Sequence, residues 1–110
     1  MSYFTSTSTR KFDIDFKEKD FGSLKDILGE VLTVQAIIKI KTKNGLKSVW
    51  EFENRSDSVY FGNSILDEWA DKALNDDNIV QAIKEGKVKI KIDLATSKNG
   101  RQYYNVKEIN

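Results

Sequence analysis

The chain has 110 residues, 39% hydrophobic and 32% charged, with a formal net charge of +1. That suffices for one domain with a modest core and is too apolar for a disordered chain. Cysteine and histidine are both absent, which excludes a disulfide framework, a thiolate zinc site, and the commonest general base and metal ligand.

Residues 1–10 are rich in Ser and Thr and read as a flexible N-terminal segment, with residues 11–110 as a single domain. The start lacks the basic and apolar regions of a signal peptide, and no apolar run approaches the ~20 residues that span a bilayer. A cytoplasmic protein without a membrane partner is the expectation. Residues 12–16 alternate Phe, Asp, Ile, Asp, Phe and predict a short strand with acidic outward residues. Ser23 is placed to cap one helical turn that Gly29 ends.

Residues 31–43 predict one long strand. Val34, Ala36, Ile38 and Ile40 share one face, and Gln35, Ile37, Lys39 and Lys41 the other. Asn44-Gly45 predicts a tight turn. Residues 46–53 form a second strand with Leu46, Ser48, Trp50 and Phe52 on one side. After a loop of turn formers, residues 58–62 predict a third.

Asn63 or Ser64 then caps a helix. Ile65, Leu66, Trp69 and Ala73 recur at helical spacing, and Asp67, Glu68, Asp71 and Lys72 cover the outer side. Residues 75–78 interrupt it, residues 79–85 add a turn or two, and Gly86 ends them. Residues 88–94 are a fourth strand. Asn99-Gly100 is a second turn, and residues 102–109 are a fifth strand. Three strands, a helix and two strands predict a mostly β fold: a five-stranded Greek-key OB-fold barrel with its helix between strands three and four.

The small net charge hides a segregated distribution. Residues 37–50 carry +4, residues 84–101 carry +4, and residues 51–80 carry −6. Each basic segment is a Lys-alternating strand that reaches Lys-Asn-Gly and continues into an aromatic-bearing strand. Cations along a groove neutralise phosphates, and exposed aromatic rings stack on bases. The candidate nucleic-acid-binding residues are therefore Lys39, Lys41, Lys43 and Lys47 on the first hairpin, with Lys89, Lys91, Lys98 and Arg101 on the second. Tyr103, which shares a face with Arg101, Asn105 and Lys107, is the first stacking candidate, followed by Tyr60 and Trp50. The same lysines equally suit the solvated face of an amphipathic strand. Trp50 is either a core plug or a stacking platform, depending on strand phase.

The run Val59-Tyr60-Phe61-Gly62-Asn63-Ser64-Ile65-Leu66-Asp67-Glu68 resembles the strand-to-helix junction of small phage-type single-stranded-DNA-binding proteins. Lys98-Asn99-Gly100-Arg101-Gln102-Tyr103-Tyr104 resembles the turn and Tyr-rich strand that end their barrel. The resemblance spans residues 31–109. It implies sequence-independent coating of single-stranded DNA in phage or plasmid replication or recombination. The chain ends directly after its last predicted strand, so the acidic, partner-recruiting tip of the bacterial housekeeping members is not implied.

An enzyme is not expected, nor a cofactor, a metal or a small-molecule substrate. Asp67, Glu68, Asp71 and Asp76-Asp77 read as a polar face, without the ligand spacing of a calcium loop. The expected partner is single-stranded DNA, with self-association into a homodimer or higher oligomer open. The alternative is a protein-interaction module, an inhibitor or assembly factor, working through its acidic helix or a sheet edge.

Overall fold

A computed structural model describes Phe12, Ile14, Phe16 and residues 19–109. The strands are β1 (Asp20–Gly22), β2 (Val31–Thr42), β3 (Gly45–Phe52), β4 (Ser58–Phe61), β5 (Lys89–Thr96) and β6 (Gln102–Ile109). Two helices, α1 (Ser64–Leu74) and α2 (Asp77–Lys84), lie between β4 and β5. The fold is mostly β: a curled half-barrel sheet in the order β1-β4-β3-β2-β5-β6, with two helices packed on it.

The curl originates in β2. Its first three residues pair with Lys89 to Lys91 of β5, and the rest pairs with β3. Between Val34 and Ala36 the register shifts, leaving Gln35 unpaired and exposed. A bulge bends a strand and raises its twist, so one 12-residue strand serves both halves of the sheet. Past the bulge, Ile37 pairs with Trp50 on the face that meets the helices, while Ile38 pairs with Val49 on the opposite face. All four are buried, so both faces are covered at the sheet's centre.

Local signals set the ends of the elements. Ser23 and Asp26 form a reciprocal capping box on a 3-10 turn over Leu24–Ile27. Asn63 caps α1 by accepting from the Leu66 amide at 2.9 Å, and Asp76 caps α2 by accepting from Asn78 at 2.9 Å. The turn after β2 uses Lys43 and Asn44, with the positive φ falling on Gly45.

Several expectations change. Among the described residues there are six strands rather than five, because Asp20–Gly22 adds parallel to the outer edge of β4. Among the described residues there are two α-helices rather than one, because Asp76 starts a second cap where the first helix ends. Among the described residues, no pairing joins β6 to β4 or β1, and α1 packs against β2, β3 and β6 instead. The strand expected over residues 12–16 lies partly outside the described residues. Of it, Phe12 and Ile14 are buried in the common core and Phe16 packs against it. Residues 1–10 lie outside the described residues altogether.

Candidate nucleic-acid interface

The outer face of the β5–β6 hairpin is built by strict alternation. Ile90 and Ile92 point into the core with Val106, so the intervening residues must point away from it. The register arranges that outer face in rows. Lys89 sits opposite Ile109, Lys91 opposite Lys107, Asp93 opposite Asn105, and Ala95 opposite Tyr103. Arg101 and Lys98, both exposed, follow at the turn. There Gly100 takes the positive φ and the Gly100 amide donates to the Ser97 carbonyl at 3.0 Å.

Two features of this face stand out electrostatically. Lys91 and Lys107 are like charges directly across a strand pair, an arrangement that costs stability. Among the described residues, neither makes an ion pair, and neither do Lys89, Lys98 or Arg101. Tyr103 is 46% exposed, because its cross-strand neighbour Ala95 is too small to cover the ring. Cations without ion-pair partners on the same face as an open aromatic ring, with the Asp93–Asn105 row between them, make a surface suited to a polyanion with planar groups.

The first hairpin does not repeat this pattern. Lys39 is bound by Asp71 of α1, and Lys41 lies opposite Leu46. Lys43 is exposed in the turn, and Lys47 is half-buried on the other face, opposite Ile40. Its four lysines are therefore divided between two faces and a turn. The two Lys-Asn-Gly turns also lie towards opposite ends of β2. One follows Thr42, and the other lies beyond the β5 residues that pair with Val31. The register thus gives the hairpins separate positions rather than one shared groove.

Trp50 and Tyr60 are corrected as stacking candidates. They are 2% and 3% exposed, because Trp50 lies under the helices and the Tyr60 ring lies against Phe52 and Gly22. The Trp50 indole donates to Ser48 Oγ at 3.0 Å, and Ser48 Oγ donates to Asp67 Oδ1 at 2.6 Å. Burial also pushes the Tyr60 phenol above its ordinary pKa. Of the adjacent pair, Phe61 rather than Tyr60 faces outward. Asp67 and Asp71, expected on a free polar face, are held by Ser48 and Lys39.

Two features had no distinct signal in the sequence. Phe16, Phe21 and Phe61 form a ladder of near-parallel rings with centroids 5.9 and 5.3 Å apart, and Phe21 is 58% exposed. Between sheet and helices lies a cavity of about 410 Å³, walled by Ile37, Trp50, Trp69, Ile83 and Ile90. No helix among the described residues is long and apolar enough to cross a membrane, and no cluster of three acidic side chains there suits a metal ion. Comparison with protein-family models, curated proteins and solved structures finds no match to this chain.

Proposed function

We propose that this protein binds single-stranded nucleic acid, DNA foremost, along the outer face of β5–β6. Phosphates would track Lys89, Lys91, Lys107 and Arg101, and a base would stack on Tyr103, with no chemistry done on the strand. The observation that carries the reading is the Lys91–Lys107 row, without ion-pair partners among the described residues, on the same face as the exposed Tyr103 two rows away. Supporting it is the neighbour order β4-β3-β2-β5-β6 around one shared strand. That order suits a partly open OB-fold barrel, with β1 as an addition. Coating of single strands in phage or plasmid replication or recombination is the role this binding fits.

Anisotropy of a labelled oligo(dT), measured across a salt series, tests it. Affinity should fall steeply with salt, since each phosphate contact contributes ~0.7 to the log–log slope. The Lys91→Ala/Lys107→Ala variant should flatten that slope by about 1.4 if each lysine holds one phosphate. Absence of binding at low salt would sink the reading.

A second reading is favoured by the aromatic ladder. Phe21 lies on the open edge of β1, where a protein strand would add by backbone pairing. The acidic helix is the weaker surface for that role, because Asp67 and Asp71 already have partners within the fold. Phe21→Ser separates the readings: oligonucleotide affinity is unchanged under the first, and a protein complex is lost under the second.

A further inference from the structure

Between the two basic ends of the β5–β6 face stands its one carboxylate among the described residues, Asp93, directly opposite Asn105. Each is half-buried, and neither side chain has a hydrogen bond or ion pair among the described residues. For a surface that only attracts phosphates, a carboxylate here is a defect. It repels the backbone that Lys91 and Lys107 attract on one side and Arg101 attracts on the other. Its position suggests a different use. Rows on one face of a strand pair are two residues apart, about 6.8 Å, so Asp93 and Asn105 lie one row from the ring of Tyr103. A base stacked on that ring would present its hydrogen-bonding edge towards them.

Given that this face binds single strands, we infer that Asp93 and Asn105 read the base stacked on Tyr103. The pair favours bases that place an exocyclic amino group beside an unprotonated ring nitrogen. An ionised carboxylate only accepts, and a side-chain amide also donates. Cytosine supplies an N4 amino donor for Asp93 and an N3 acceptor for the Asn105 amide. Adenine supplies the equivalent pair at N6 and N1. Thymine seated in the same way still gives its N3–H to the Asn105 amide oxygen but turns its O4 carbonyl towards the carboxylate, which repels it. The surface would thus bind any single strand through its phosphates and grade it by this one base contact.

Oligo(dC) and oligo(dT) of equal length isolate the contact, because both are pyrimidines of similar stacking size. Anisotropy titrations at fixed low salt should show oligo(dC) binding on the order of fivefold tighter. In Asp93→Ala oligo(dT) should bind more tightly, oligo(dC) should gain less or nothing because it also loses the N4 contact, and the two affinities should converge to within about twofold. Circular dichroism of the variant checks that the hairpin is intact. Equal wild-type affinities, or a preference that survives Asp93→Ala, overturn the base-reading role while leaving the interface standing. If neither oligomer binds the wild type at low salt, the interface and the base-reading role both fall.

Discussion

Ser48 is fully buried and ties three elements together. Its amide and hydroxyl both donate to Asp67 Oδ1, at 2.9 and 2.6 Å. Its hydroxyl accepts from Trp50, and its carbonyl accepts from the Gly62 amide at 2.9 Å. Ser48→Ala would leave a buried indole N–H without an acceptor and should cost about 1–3 kcal/mol. Gly62 must approach closely: a Cβ there would lie 2.2 Å from Ser48 Oγ and 2.9 Å from Leu66 Cβ. Gly62→Ala should therefore also cost about 1–3 kcal/mol by overpacking. The two changes share the Ser48 hydroxyl, so the double variant should cost less than the sum, measured by urea unfolding. Strict additivity would show that this contact does not govern the junction. Tyr60 gives a second residue-level test. Its folded pKa is raised, chiefly by burial, so its contribution is complete below the unfolded value of about 10 and is lost as pH rises through the folded value. Urea midpoints should fall less steeply above about pH 10 in Tyr60→Phe than in the wild type.

At the scale of elements, the β5–β6 hairpin keeps a repulsive pair that folding alone would remove. Lys107→Glu replaces it with an attractive cross-strand pair to Lys91. Thermal unfolding should show a gain of about 0.2–1 kcal/mol, while oligonucleotide affinity falls. A variant that loses both stability and affinity would mean that Lys107 serves packing and has no separate binding role. This hairpin is legible in the sequence because alternation fixes both of its faces: the neighbours of Tyr103 alone place it outward. The phase of β3 was not legible in the same way. Ser48, Trp50 and Phe52 alternate with Val49 and Glu51, and all five are buried. Which face carries Trp50 depends on the helices, which arrive from another part of the chain. β1 was illegible for a related reason. Three residues, Asp20, Phe21 and Gly22, carry no period to read, and their parallel pairing with β4 is non-local. The division of the first hairpin's lysines follows from α1 as well, since Asp71 claims Lys39 only once the helix is docked.

At the scale of the molecule, the described residues measure 53 × 32 × 29 Å, and the two tryptophans are not spread over them. Trp50 and Trp69 both line the cavity between the sheet and the helices. Tyr103 lies on the outer face of β5–β6, on the side away from the buried Ile92 and Val106. Intrinsic tryptophan fluorescence therefore reports how the helices sit on the sheet, and a strand bound along β5–β6 touches neither indole. Titration of the wild type with oligo(dT) should leave tryptophan emission nearly constant while anisotropy of a labelled oligomer reports binding. Tyr103→Trp moves a fluorophore into the proposed stacking position without altering any buried contact, and its emission should be quenched on the same titration because an indole also stacks on bases. Strong quenching in the wild type would mean that the strand reaches the helix side or displaces α1 and α2 when it binds. Quenching absent from Tyr103→Trp, with anisotropy still rising, would place the bases away from the hairpin and leave its lysines as the only contacts.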